Sequence, residues 1–455
     1  MERSEVTAAP AVRGSRRHLL PEALARRPGL LLLLLGAGCA VIAWLRLPEI
    51  ARDTFWAEDG RTFVSAAAIG GPAVIVQPYA GYLHTVPRLV AALVVLLPVG
   101  SWALATTAAA CAIAGGLAVV VFVCARDLVP WLPARVAVAA LTVLAPLAPR
   151  EVLGNLANLH SLFLWALFWI VLSRPRRLRT AVALSIVGFF GAMTEIQAVF
   201  LTPLLLLRRR DRLVWVARAG LVAGSLVQVA VTLGWPRAHN TNPAVDPLSL
   251  GYGFLINAVM PLAVPQAQLG AVLAASGPLV GLIVLAVLLV AAVYASVRGS
   301  RAQRLLVVAA LSGAALIFAA GVEANPNGFY DYAALAPGRL RDAWLTRYGV
   351  IPSMLLALVP LVAVSIALAR RREHPALRWT AGAVAALSLV LVLAQAGPQW
   401  TRRSDGPAWT PQLAAAGVQC RRDDELAFVN LRETIGWKVT VPCRYLVPAG
   451  SAPDS

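Results

Sequence analysis

Long apolar runs alternate with short polar breaks along most of this chain. Leu30–Leu47, Ser101–Cys124, Arg135–Pro149, Leu162–Ser173, Leu213–Trp235, a stretch ending near Val297, Leu305–Gly321, Val350–Ala369 and Trp379–Ala396 are apolar over most of their length. A helix needs about 20 apolar residues to cross a bilayer, so the pattern predicts an all-α polytopic membrane protein with about 11 transmembrane helices. Two stretches depart from the rule. Val86–Leu97 is apolar for only about 12 residues and stops at Pro98, which predicts a helix lying at the membrane surface. Residues 180–207 are too long for one upright span and carry the polar run Thr194-Glu195-Ile196-Gln197 in their middle. They predict two short helices meeting near one surface.

Charge orients these elements. The chain carries 40 Lys+Arg against 22 Asp+Glu, a net charge of +18, yet is 59% hydrophobic and only 14% charged. Arginines gather in short breaks at 174–179, 208–212 and 370–372. That placement follows the positive-inside rule, so much of the charge serves topology and does not call for nucleic acid. Residues 1–29 then form a basic cytoplasmic N-terminus. A basic flank before an apolar run also suits a signal peptide, but Leu47-Pro48-Glu49 is a poor cleavage site, which predicts an uncleaved first span. A membrane domain follows over 30–396, with a long first outer loop at 48–100 and further outer loops at 149–160, 236–253 and 322–347. The tail, 397–455, lies outside and has two short β-like runs, Leu426–Asn430 and Trp437–Val441. It is too small for a substantial core of its own. Cys39, Cys111 and Cys124 fall in apolar runs. Cys420 and Cys443 fall in the tail, where an oxidising compartment would let them pair.

Candidate chemistry concentrates in the polar breaks on the outer side. Phe55-Trp56-Ala57-Glu58-Asp59-Gly60-Arg61 places two adjacent carboxylates just past the first span. One reading is an interfacial pair beside aromatic anchors. The other is a general base, with Glu58 and Asp59 pointing about 100° apart on a helix so that one acts while the other orients it or holds a divalent cation. Asp59 is favoured, because Gly60 would leave room for a substrate. His84 and Arg88 share a helix face at four-residue spacing, and a guanidinium there either holds a lipid phosphate or snorkels at the interface. Glu151, Asn155, Asn158 and His160 make a polar cluster at a helix end; His160 alone reads as structural. Glu195 sits deep in an apolar stretch, where an ionisable group suggests function. Tyr82, Tyr330 and Arg347 lie in outer loops. No glycine-rich phosphate loop, zinc spacing or Ser/His/Asp arrangement is visible, so nucleotide-driven chemistry is not expected.

The order of these parts resembles the GT-C class of polyprenyl-phosphate-sugar-dependent glycosyltransferases. Protein O-mannosyltransferases, lipid A aminoarabinose transferases and actinobacterial arabinofuranosyltransferases share that layout. The matching stretches are Trp56-Ala57-Glu58-Asp59-Gly60; Pro78-Tyr79-Ala80-Gly81-Tyr82-Leu83-His84 with Arg88; Arg150-Glu151-Val152-Leu153-Gly154-Asn155; and Arg347-Tyr348 with Pro352. The likeness covers roughly residues 30–370 and rests on layout and short motifs. The aromatic-rich signature of oligosaccharyltransferases is absent. The resemblance implies an inverting sugar transfer at the outer face of the plasma (inner) membrane. The donor would be a polyprenyl-phosphate sugar lipid, and the acceptor an envelope glycan, glycolipid or protein. Glu58 or Asp59 would be the base, and Arg88 and Arg347 would hold the donor phosphate. His84, Tyr82, Glu151, Asn155, Glu195 and Tyr330 would line the substrates. A lipid-linked glycan transporter and an O-antigen-type polymerase or ligase remain as alternatives, the last because Arg339, Arg341 and Arg347 share one late outer loop.

Overall fold

The computed structural model describes residues 28–447 except 209, 239–241, 371–374 and 424. The basic segment before residue 28, and Arg371 and Arg372, lie outside the described residues. Counting helices of eight residues or more, the chain forms α1 (Pro28–Leu45), α2 (Thr85–Val94), α3 (Trp102–Cys124), α4 (Leu132–Leu144), α5 (Leu159–Leu172), α6 (Leu178–Ala192) and α7 (Arg212–Gly234). It continues with α8 (Pro247–Phe254), α9 (Gln266–Ser276), α10 (Leu279–Arg298), α11 (Arg301–Glu323), α12 (Val350–Ala369), α13 (Pro375–Ala394) and α14 (Leu413–Arg422). One antiparallel pair follows, β1 (Phe428–Arg432) and β2 (Lys438–Pro442), with Asn430 opposite Thr440.

The helices form where apolar runs are long and their ends are satisfied. Asp211 accepts hydrogen bonds from the Leu213 and Val214 amides at the start of α7. Ser300 and Gln303 make a reciprocal capping box at the start of α11. Among the described residues, six helical stretches are long and apolar enough to cross a membrane. They are Val99–Asp127, Leu132–Glu151, Arg212–Gly234, Leu279–Arg298, Arg301–Glu323 and Arg347–Ala369. The chain is thus a membrane-embedded helical protein. Shorter apolar helices pack among these. The 14-residue α5 is apolar nearly all round and is enclosed by its neighbours, with every residue but His160 buried. A helix apolar on all sides belongs inside the bundle.

The two departures in the hydrophobic pattern are visible in the fold. Helix α2 has 10 residues, a rise of about 15 Å that is half a bilayer core. Residues 180–207 break at Met193–Glu195, with α6 before the break and an 11-residue 3₁₀ helix, Ile196–Leu206, after it. The break is where α2 docks: the Thr85 amide and hydroxyl both donate to the Met193 carbonyl, and the Val86 amide donates to Thr194 Oγ1.

Two buried arginines tie the ends of the bundle. Arg46 donates to the carbonyls of Val143, Ala145 and Gln395, fastening α1 to the ends of α4 and α13. At the opposite end Arg218 donates to the carbonyls of Val171, Leu205 and Leu207. That opposite end also carries exposed Arg174 and Arg176, paired with Asp211 and Asp127.

The tail does not form a body of its own. It spreads over the loop after α1 and borrows a core there. Trp409 packs edge-on against Phe55 at 5.0 Å and donates from its indole to the Val99 carbonyl. Thr434 bonds both the Phe55 carbonyl and the Ala57 amide. The Thr440 amide donates to Ser65 Oγ, and Arg444 donates to the Ala68 carbonyl. Cys420 and Cys443 are joined as a disulfide that links α14 to the end of β2.

Candidate functional site

The tail-bearing end of the bundle holds a cavity of about 320 Å³, walled by segments far apart in sequence. Each wall has a local reason for its shape. Residues 58–64 turn through a short π-helical segment, Asp59–Val64, which starts between the two carboxylates. Neighbours on a helix point about 100° apart, and here one acid turns inward and the other to the cavity.

Asp59 is fully buried. Its two oxygens accept the Leu156 amide at 2.9 Å and the Ala157 amide at 2.7 Å. The same turn is gripped from its other side by buried Arg403, which donates to the Leu153 and Gly154 carbonyls at 3.0 and 2.8 Å. An anion on the amides and a cation on the carbonyls hold the turn in one shape. Burial pushes the Asp59 carboxyl up to about 7, against the two amide donors and Arg403. The room expected beside Gly60 is taken: a Cβ there would run into Glu433 and Val439 of the tail. Asp59 is therefore not open to a substrate. Glu58, by contrast, lines the cavity, and its Oε2 has no hydrogen-bond partner.

A second wall is the tight turn Tyr79–Tyr82. Tyr79 and Tyr82 exchange both backbone hydrogen bonds, with Ala80 at φ 51° and Gly81 at φ 85° between them. Two left-handed residues in succession make the hairpin turn that favours glycine, and alanine is strained in the first of them. Gly81 is also required by space, because a Cβ would lie 2.8 Å from the Arg237 amide. Beyond the turn, Gln228 of α7 bonds both the amide and the carbonyl of Leu83, at 2.8 and 3.0 Å. His84 follows, its ring 4.1 Å from that of Tyr82 and 5.5 Å from that of Phe63. Neither nitrogen of His84 makes a hydrogen bond of ordinary geometry. Burial, then His160 and Arg88, hold its pKa well below the usual histidine value. Burial likewise raises the Tyr82 phenol, helped by Glu195 and opposed by Arg347.

A third wall joins α5 to the break after α6. His160 Nδ1 lies 2.5 Å from Glu195 Oε2, and Glu195 Oε1 accepts the Gln197 amide at 2.7 Å. The last wall is Arg347 and Tyr348 at the start of α12, with Arg237, whose Nη1 is held by the Ala324 carbonyl and Asn325. Arg347 Nη1 is 3.6 Å from Glu151, while its Nε has no hydrogen bond.

The cavity thus brings together Glu58, Tyr82, His84, Glu195 and Arg347 of the expected residues. The others stand behind it. Glu151 sits among arginines, 2.8 Å from Arg402 Nε, and anchors Arg347. Asn155 shapes the turn by accepting from Asn158 and donating to the Glu151 carbonyl. Tyr330 packs against Tyr348 at 6.2 Å. Arg88, expected at the donor phosphate, is buried with its guanidinium 5.6 Å from the Phe63 ring and does not line the cavity. Arg341 lines a separate cavity of about 330 Å³ beside Arg150 and Gln266. Among the described residues no three His, Cys, Asp or Glu side chains gather to hold a metal ion.

Sequence reasoning took His160 alone as structural and missed Arg403 and Glu433. Glu433 is buried beside the acid pair, and burial together with Asp59 pushes its carboxyl up to about 9. The partners of His160 and Arg403 lie 35 and about 250 residues away, beyond any local pattern. An isolated polar residue in apolar surroundings demands a partner, and that rule applied to His160 and Glu195 together would have joined them. No family model, no curated protein and no solved structure matches this chain.

Proposed function

We propose that the chain is a membrane glycosyltransferase of GT-C type, with about 11 spans. It moves a sugar from a polyprenyl-phosphate donor to a hydroxyl of an envelope glycan, glycolipid or protein. The observation that carries this reading is the convergence of unpartnered polar atoms on one aromatic-walled cavity at the end of a membrane bundle. Glu58 Oε2, Thr232 Oγ1 and Arg347 Nε lack hydrogen bonds there, and the His84 nitrogens make none of ordinary geometry, beside Phe63, Tyr79, Tyr82 and Tyr348. Buried polar groups are ordinarily paired, so such a set suits a ligand rich in hydroxyls with apolar faces. A sugar has both.

In this reading Glu58 takes the acceptor hydroxyl's proton as its oxygen attacks the anomeric carbon. A single displacement inverts that carbon. Arg347, buttressed by Glu151, faces the charge that develops on the leaving phosphate. Asp59 holds the 153–157 turn and touches no substrate. The exposed arginines at the opposite end favour that end as cytoplasmic, which puts the cavity and the tail at the outer face. The test is transfer from synthetic polyprenyl-phosphate sugars by the purified full-length protein. Transfer that persists at the wild-type rate in Glu58→Gln sinks the assignment of the base; binding of donors without any turnover would favour a transporter.

A further inference from the structure

One acid–base pair in the cavity has no role in that scheme. His160 and Glu195 are held in a chain of contacts: Gln197 amide to Glu195 Oε1, and Glu195 Oε2 to His160 Nδ1. Glu195 is 3% exposed at the end of an apolar bundle. A carboxylate there is costly, and a carboxylate on Nδ1 fixes the ring's orientation and tautomer, the arrangement that proton-transferring histidines use. It also leaves Nε2 as the ring's remaining hydrogen-bonding atom, on a residue that lines the cavity.

We propose that His160, backed by Glu195, is the protonated half of the donor-phosphate subsite: its Nε2–H binds the phosphate of the lipid-linked sugar and passes its proton to the leaving phosphate. This rests on the glycosyl-transfer reading. Position separates the two acid–base groups. The pair sits at the membrane-flanking wall, where Gln197 and Thr232 line the cavity and the neighbouring Leu233 and Trp235 are exposed apolar side chains. Glu58 sits under the tail, beside Glu433. A phosphate on a lipid arrives from the first side and an acceptor hydroxyl from the second.

The step balances. The acceptor O–H proton goes to Glu58, and the acceptor oxygen bonds the anomeric carbon. The bond from that carbon to the phosphate oxygen breaks, with its electron pair staying on oxygen. The His160 proton goes to the phosphate, and water returns the Glu58 proton to His160. Glu195 and His84 are the titratable neighbours of His160, and Glu58, Tyr79, Tyr82, Arg237, Arg347 and Tyr348 are the other charged or titratable groups lining the cavity with it.

The experiment uses full-length protein in detergent, with farnesyl phosphate as probe and farnesol as the uncharged control. Binding is measured by calorimetry from pH 5.5 to 8.5, and sugar transfer is followed in parallel. Wild-type affinity for farnesyl phosphate is expected to fall as the pH is raised through this range. His160→Gln is expected to bind weakly with no such fall, and Glu195→Gln to shift its midpoint; farnesol binding stays flat in all three. The probe's own second ionisation acts in the opposite direction, so tighter binding at high pH would assign the phosphate to Arg347 alone and overturn the proposal. The same pH dependence in wild type and His160→Gln also overturns it. Should His160→Gln fail to fold by thermal melting, His160→Asn takes its place. Transfer without a His160-dependent pH effect leaves the glycosyl reading standing and removes this one. A His160-dependent phosphate site in a protein that moves no sugar does the reverse.

Discussion

Both oxygens of Asp59 accept backbone amides, whereas Glu58 Oε2 has no partner, so exchanging each carboxylate for an amide has different expected outcomes. Glu58→Gln keeps the size and loses only the base. Transfer is expected to drop by about 10²–10⁴-fold with an unchanged melting curve. In Asp59→Asn one of the two amides would face an NH₂ group. That leaves a buried donor unsatisfied and costs about 1–3 kcal/mol, read as a lower melting temperature. Arg403→Met removes the partner of two carbonyls and the counter-charge to Asp59, and a larger loss of stability, about 3–5 kcal/mol, is expected. If Asp59→Asn melts like wild type and only turnover falls, Asp59 is more than a brace.

At the scale of elements, the tail behaves as a lid on the first loop, and Glu433 makes its hold pH-dependent. Docked, the Glu433 carboxyl titrates near 9; its ordinary value is 4.5. The folded value is the higher one, so the docked state binds the extra proton. Its contribution is complete below about pH 4.5 and is lost as pH rises towards 9. Asp59, at about 7 against 3.8, acts in the same direction over a narrower window. Protease cleavage within 423–437 is therefore expected to speed up between pH 5 and 9 in wild type and to depend less on pH in Glu433→Gln. The disulfide makes a separate prediction. Cys420 and Cys443 should resist a thiol probe in denatured, unreduced protein and react after reduction, while Cys39, Cys111 and Cys124 react in both.

At the scale of the whole molecule, sidedness is the open quantity that an experiment resolves most directly. The three native free cysteines are buried, so a new surface cysteine reports alone. Asp405→Cys, at the tail end, is expected to react with a membrane-impermeant thiol reagent on intact cells. Arg176→Cys, at the opposite end, is expected to react only after permeabilisation. The reverse pattern would put the cavity in the cytoplasm and remove the reason for a lipid-phosphate donor.

The chain's apolar periodicity by itself determined the bundle, the short helix before Pro98 and the break at Glu195, because span length and a buried charge are local constraints. It also marked Glu58, His84, Glu195 and Arg347 as polar residues at the ends of apolar runs, and all four reach the cavity. Which of two neighbouring carboxylates faces the cavity was not legible, because amides about 100 residues away and a tail glutamate about 375 residues away decide it. The pairing of His160 with Glu195 and the burial of Arg88 behind Phe63 have the same origin. Adjacent residues share one local pattern, and only contacts between distant segments make their surroundings different.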